Sequence, residues 1–346
     1  MADPKNASLS GNGFRFYRWS DPITGEETDV LSVTSIRKLA GEPYQLVNWQ
    51  LANIADVAMG QMKRTVIGPR GGVSEKRVKD EFPGEFMRRL IETDGEQAKM
   101  DDVRRWLREQ ADAPRNIAAM RGSIVHQLIE KNTPWTKAER GIVEAEFARL
   151  SQRDRQRAKQ GVQDEDIRFI QHALRNYWYM RAEVPFTIIA REMQVFNLEA
   201  GYAGSLDTLA WFHDPDTDLN TVPRARDITA ETVDRMGGYL AVMDWKTATD
   251  VHTDNILQVH GYMGSEFVGQ DGLKDERLTA LLEQANMGGI VHIRPNKYAI
   301  HLFDFNPQAM RAFLGFCAGA RFLAQYPKPE PLFVRTFQGA APDGDA

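Results

Sequence analysis

The chain has 346 residues, with 43 Lys and Arg against 48 Asp and Glu, a net charge of −5 and one cysteine. Its 42% hydrophobic content suffices for a buried core, which excludes a mainly disordered protein. A single cysteine excludes an intramolecular disulfide framework, a cysteine-rich zinc module and an iron–sulphur cluster held by four cysteines of this chain.

Residues 1–13 are polar, lack the apolar stretch of a signal peptide and read as a flexible tail. No run of 18 apolar residues follows, so no membrane span is expected and a cytoplasmic location is. Phe14 to Trp19 alternates apolar and charged residues before Asp21-Pro22 and Gly25, the pattern of a strand and turn. Helices are expected from Ser32 to Ala40 and from Leu46 to Met59. Residues 60–82, with Gly68, Pro69, Gly71 and Gly72 among many charges, read as an exposed connection. Further helices are expected over 85–110, 115–131, 138–159 and 164–181. The texture changes at Pro185. Strands are expected over 186–198, 203–212 and 239–247, with a polar insertion at 213–236 whose middle reads as a protruding, solvated loop. A helix over 255–267, short strands over 289–293 and 298–303, and a helix over 308–325 complete the pattern. Residues 336–346 read as a second tail. The whole predicts an α/β fold in which a mainly helical region, 14–114, precedes an α/β core over 115–335.

The strongest chemical signal is Asp244-Trp245-Lys246 at the end of an apolar strand. Alternation puts Asp244 and Lys246 on one face and Trp245 on the other. Gly204-Ser205-Leu206-Asp207 places a second carboxylate inside an apolar strand. Such charges are costly to bury unless they are paired or bound to a metal. Two carboxylates can hold a divalent cation through oxygen. A cation so held polarises a phosphoryl oxygen, and a lysine offsets charge in the transition state. A structural Asp–Lys pair at a strand end is the plain alternative. Gly122 and His126 share one helical face, where the glycine lets that face approach a sheet or ligand closely. Gln258 and Tyr262 share another, and both donate hydrogen bonds of the kind a phosphate accepts. Glu192 is a further carboxylate in an apolar setting.

Taken in order, Gly122-x-x-x-His126, Glu192, Gly204-x-x-Asp207, Asp244-x-Lys246 and Gln258-x-x-x-Tyr262 resemble the RecB-type nucleases of the PD-(D/E)XK superfamily over about residues 121–305. The segment from Ser32 to Trp49 also looks like the opening of phage-encoded exonucleases of this group. The resemblance implies a restriction-endonuclease-like mixed sheet flanked by helices, and Mg²⁺- or Mn²⁺-dependent hydrolysis of DNA. It implies His126, Asp207, Asp244 and the Trp245 carbonyl as metal ligands and Asp207, Asp244 and Lys246 as catalytic residues. Gln258 and Tyr262 would contact DNA or brace the site, with Glu192 at its edge. Exonuclease action in recombination, repair or phage DNA processing is the favoured use, in the host cytoplasm if the chain is phage-encoded, with a recombination or annealing protein as a further partner. A structure-specific or restriction-type endonuclease and an inactive DNA-binding module are the alternatives.

The chain departs from some relatives. Cys317 alone cannot supply an iron–sulphur cluster and reads as core, and no phosphate-binding Gly-x-x-x-x-Gly-Lys-[Ser/Thr] loop is present, so no nucleotide is expected. Asp214, Asp216 and Asp218 alternate without the rest of a calcium loop and are assigned no metal. Phosphate contacts are expected from Lys63, Arg64, Lys76, Arg77, Lys79, Arg88, Arg89, Arg104, Arg105 and Arg108, since residues 60–125 carry 14 bases against 11 acids. Trp106 and Trp135 are read as core rather than as stacking platforms.

Overall fold

The chain's first strands are short because polar turns interrupt them. In the computed structural model, which describes residues 7–9, 14–40, 54, 63–67, 73–77, 82–94, 96–152, 155 and 161–326, β1 (Ala7–Leu9) pairs with β2 (Arg15–Ser20), and β2 with β3 (Glu27–Ser32). The Asp21 carboxylate closes the second turn by accepting from the Ile23 and Thr24 amides at 2.8 Å each. Strand β3 has no counterpart in the expected pattern, and Ala7–Leu9 falls within the expected tail. Helix α1 (Val33–Ala40) follows directly. The expected helix over 46–59 lies outside the described residues apart from Ile54, which is helical. Within the expected connection, β4 (Lys63–Ile67) and β5 (Val73–Arg77) form an antiparallel hairpin. Helix α2 (Phe82–Ile91) leads to α3 (Gln97–Glu130); the break falls between 91 and 97 rather than at the expected 111–114, so α3 runs for 34 residues across the expected boundary. Pro114 lies inside it. A proline there deletes one backbone bond, yet Ala111 and Met120 are buried on either side and hold the helix through the break.

After α4 (Arg140–Arg149) comes α5 (Asp164–Glu183), which opens on a capping box between Gln163 and Asp166. Two long strands follow, β6 (Phe186–Asn197) and β7 (Tyr202–Phe212), antiparallel with a register shift between Ile188 and Ala190. In the insertion, Asp214 to Thr221 is largely exposed, as expected, but α6 (Ala230–Met236) anchors its end. Ile228 and Val233 are buried there and Arg277 donates to the Ile228 carbonyl at 2.8 Å. Strand β8 (Tyr239–Lys246) pairs antiparallel with β7. Helix α7 (Thr253–Met263) is shorter than expected. It stops at Gly264, and β9 (Phe267–Gln270), read as helix at its first residue, pairs with β6 instead. A short β10 (Leu273–Lys274) and α8 (Glu276–Glu283) lead to β11 (Met287–Arg294), parallel to β8, and to β12 (Lys297–Asp304), its antiparallel partner. Asn306 caps α9 (Pro307–Gln325) by accepting from the Gln308 and Ala309 amides.

Among the described residues the result is a mixed ten-stranded sheet between two layers of helix. Ile124 and Leu128 of α3 and Leu174 and Tyr177 of α5 cover one face, against Met243, Trp245, Val291 and Ile293. Val33 and Ile36 of α1, Val259 and Tyr262 of α7 and Phe313 of α9 cover the other, against Leu206, Leu209, Val242 and Ile290. Gly204 permits the second contact, since a Cβ there would meet the Tyr262 ring at 2.6 Å and Val33 at 3.1 Å.

One feature of the sheet locates the site. On one edge β7 pairs with β6 along its length. On the other, pairing with β3 ends at Ala203 and pairing with β8 begins at Thr208. The sheet therefore forks between residues 204 and 207, and Asp207 stands at the fork.

Candidate metal centre

Asp207 and Asp244 are buried, with 4% and 2% of their surface exposed. The Trp245 amide donates to Asp207 Oδ2 at 2.8 Å, which ties the fork to the end of β8. The Trp245 indole donates to Thr208 Oγ1 at 3.0 Å and locks the same junction from the other face. From α3, His126 brings Nδ1 to 3.7 Å from Asp207 Oδ2. This approach depends on Gly122, one turn earlier, where a Cβ would lie 2.8 Å from Thr247 Oγ1. Glu192 lies on β6, where the flanking pairs Arg191–Thr208 and Met193–Leu206 set it opposite Asp207. Its φ is +50°, a left-handed conformation inside a strand. For a non-glycine residue that costs on the order of 1–2 kcal/mol, so surrounding packing enforces it.

Ligand atoms of His126, Glu192 and Asp207 lie within 4.8 Å of one another. Asp244 lies outside that group, and its Oδ2 is 2.5 Å from Lys246 Nζ. That approach is an ion pair by distance but is off the line of a hydrogen bond, and Oδ2 receives none. Lys246 Nζ also donates to Gln258 Oε1 at 3.4 Å, and Gln258 Nε2 donates to the Tyr262 hydroxyl at 2.8 Å. Both polar groups of Gln258 are thus engaged within the protein, and it braces Lys246. The Tyr262 proton remains available to donate.

Electrostatics set the protonation of these groups. Burial holds His126 down at about pH 4, helped by the Lys246 charge, so its ring is neutral at pH 7 and keeps a lone pair. Burial, with repulsion from Glu130, lifts Glu192 to about 7. Burial, then the charges of Asp244 and Glu192, raises Asp207 well above the usual carboxylate range. Tyr262 is raised by burial and by the same two aspartates and stays protonated. Three carboxyl groups therefore share the fork with one lysine and a neutral imidazole. Such a cluster must retain protons or take up a cation. Its donors, carboxylate oxygens of Glu192 and Asp207 and one His126 nitrogen, fit a hard divalent ion such as Mg²⁺ or Mn²⁺.

The structure thus brings together Asp207, Asp244, Lys246, His126, Trp245, Gln258, Tyr262 and Glu192. Glu192, expected at the edge, lies inside the group of ligand atoms. Its backbone twist had no signal in the sequence, although strand alternation opposite Asp207 was a clue. The expected phosphate contacts fare unevenly. Arg88 and Arg89 pair with Glu85, Arg104 with Asp101 and Arg105 with Asp102, all one turn away, so this stretch of helix is largely self-neutralised. Arg108 is exposed, the backbones of Lys63, Arg64, Lys76 and Arg77 form the hairpin, and Lys79 lies outside the described residues. Trp106 packs under Arg89, with the guanidinium 5.1 Å from its ring centre, while Trp135 is 40% exposed. Cys317 is buried. Asp218 accepts from the Asn220 amide and closes a local turn. Among the described residues no helix is long and apolar enough to cross a membrane. No family model matches this chain, and no curated protein matches it.

Proposed function

We propose that the chain is a metal-dependent deoxyribonuclease of the PD-(D/E)XK type that hydrolyses phosphodiester bonds in DNA and works from a DNA end. One observation carries the reading: three carboxyl groups, a neutral histidine and a lysine converge where the sheet forks. Glu192, Asp207 and His126 would hold a divalent cation, with Asp244 and the Trp245 backbone beside them. Such a cation, when bound, polarises a phosphoryl oxygen and favours ionisation of water. Lys246 supplies positive charge next to the reacting phosphate and offsets the charge that builds up on its oxygens. Gln258 keeps the ammonium in place, and the Tyr262 hydroxyl donates to a phosphate oxygen. DNA is the partner this chemistry requires, and recombination, repair or phage DNA processing is its setting.

The test is degradation of linear DNA with Mg²⁺ or Mn²⁺ against EDTA, together with calorimetric titration of Mn²⁺. Metal-dependent loss of DNA is expected in the wild type, and Asp207→Ala and His126→Ala are each expected to weaken Mn²⁺ binding by at least roughly tenfold. DNA that survives both metals, or Mn²⁺ affinity unchanged in both variants, removes the reading.

A further inference from the structure

Strand β11 runs parallel to β8, with His292 beside Lys246 in the register, and ends two residues later at Arg294. The Arg294 side chain turns back across the end of β8, where Nη1 donates to the Thr247 carbonyl at 2.6 Å. Thr247 follows Lys246 and is the residue against which Gly122 of α3 packs. The guanidinium is half-buried, and its carbon lies 5.5 Å from the centre of the Phe169 ring. Arg121 approaches the same ring at 5.0 Å, so two guanidinium groups flank one phenyl ring.

The two arginines differ in their partners. Arg121 is buried, and its Nε donates to Asp166 at 2.7 Å. Among the described residues Arg294 forms no ion pair, and Asp250 attracts it only from beyond that range. His292 is also buried close by, where its Nε2 donates to the Ala248 carbonyl at 2.7 Å and burial favours the uncharged ring. A half-buried guanidinium with no carboxylate within ion-pair distance keeps donors that an anion can satisfy. Planar guanidinium donors match the oxygens of a phosphate.

We propose that Arg294, on the strand adjacent to that of Lys246, binds a backbone phosphate of the DNA strand next to the one that is hydrolysed. The inference rests on the nuclease reading above. Arg294 acts here as a substrate-binding residue.

Arg294→Gln tests it, because glutamine keeps a donor for the Thr247 carbonyl and removes the charge. Binding of a fluorescent oligonucleotide is measured in EDTA over a salt series, with steady-state cleavage in Mn²⁺ and a thermal melt. Expected are a Kd and KM raised roughly tenfold, a salt slope lower by about one, and kcat and Mn²⁺ affinity close to wild type. Arg294→Lys, which keeps the charge without the planar fork, is expected to retain the wild-type salt slope and to bind several-fold more weakly. It also serves as the folded variant if Arg294→Gln melts early. A purely structural tie to β8 would lower the melting temperature and kcat and leave the salt slope alone; that result overturns the proposal, as does an unchanged Kd in both variants. A wild-type protein that binds no oligonucleotide overturns the nuclease reading as well, whereas wild-type cleavage with unaltered variants overturns this inference alone.

Discussion

Lys246 has its ammonium 2.5 Å from a buried carboxylate and is held from the other side by Gln258. Its position is therefore fixed before any substrate arrives, the condition under which a charge contributes most to a transition state. Lys246→Ala is expected to lower kcat on the order of 10²- to 10⁴-fold while Kd for DNA changes little. Single-turnover cleavage beside a binding titration checks this, and near wild-type turnover in a folded variant would dismiss the lysine from the chemistry. Glu192 allows a prediction about stability. Its carboxyl is lifted from the ordinary 4.5 to about 7, so the folded chain holds a proton that the unfolded chain has lost. Stability is then lost as pH rises from about 4.5 through 7 in the absence of divalent metal. His126, lowered from 6.5 to about 4, acts in the opposite direction, and its contribution is lost as pH falls through that window. Comparing Glu192→Gln with wild type in EDTA isolates the glutamate. The variant is expected to gain on the order of 2 kcal/mol over wild type between pH 4.5 and pH 7.5, after allowance for screening. Denaturant melts at both pH values read the difference, and a gap that does not grow with pH contradicts the assignment. Asp244 and Lys246 were legible in the sequence because a charged pair interrupts an apolar strand. The left-handed twist at Glu192 was not, since no glycine or asparagine marks it.

At the scale of elements, legibility followed the strength of the local pattern. Strands β6, β7 and β8 are apolar runs bounded by turns and were found nearly to the residue. Helix α3 was split in two because Pro114 is a strong local breaker, whereas the intact helix depends on tertiary burial that no local signal reports. The end of α7 was overrun because Phe267 and Val268 continue an apolar pattern, while their partners in β6 lie about seventy residues away. Hairpin β4–β5 was hidden by its charges. Its register sets Lys63 opposite Arg77 and Arg64 opposite Lys76, so four basic residues fall on one short ribbon. A two-stranded ribbon also has the width of a DNA groove. The hairpin is therefore expected to contribute more to DNA affinity than the arginines of α2 and α3, which already carry acidic partners. Replacing Lys63, Arg64, Lys76 and Arg77 by glutamine is expected to lower the salt slope of DNA binding by roughly three to four, and Arg104→Gln with Arg105→Gln by much less. Fluorescence anisotropy across a salt series compares the two sets. Equal slopes would remove the hairpin from the interface.

For the whole molecule, the layer order determines how substrate reaches the fork. The alternation of helix and strand made the α/β class legible, but not the fork itself, because the pairing of β3 with β7 joins residues about 170 positions apart through two registered pairs. Around the fork, α3 brings His126 from one face of the sheet, and α7 brings Gln258 and Tyr262 from the other. Asp207 and Asp244 lie below the surface between them, 4% and 2% exposed. On the nuclease reading proposed above, a scissile phosphate would have to be drawn down to them, which would strain a continuous duplex. Unstacking or unpairing bases costs a few kcal/mol per step inside a duplex and much less at a frayed end. On that reading, a nuclease chain without a phosphate-binding loop of its own to power unwinding would gain most from a strand that already ends. Linear DNA is expected to be consumed while covalently closed circles in the same tube persist, and the rate is expected to fall steeply with salt because the guiding contacts are phosphate contacts. The measurement is a gel time course on a mixture of linear and relaxed closed-circular DNA with Mg²⁺ or Mn²⁺. Nicking of the circles at the rate at which linear DNA disappears would show that the site takes an uninterrupted strand, and the endonuclease reading would then replace the end-dependent one.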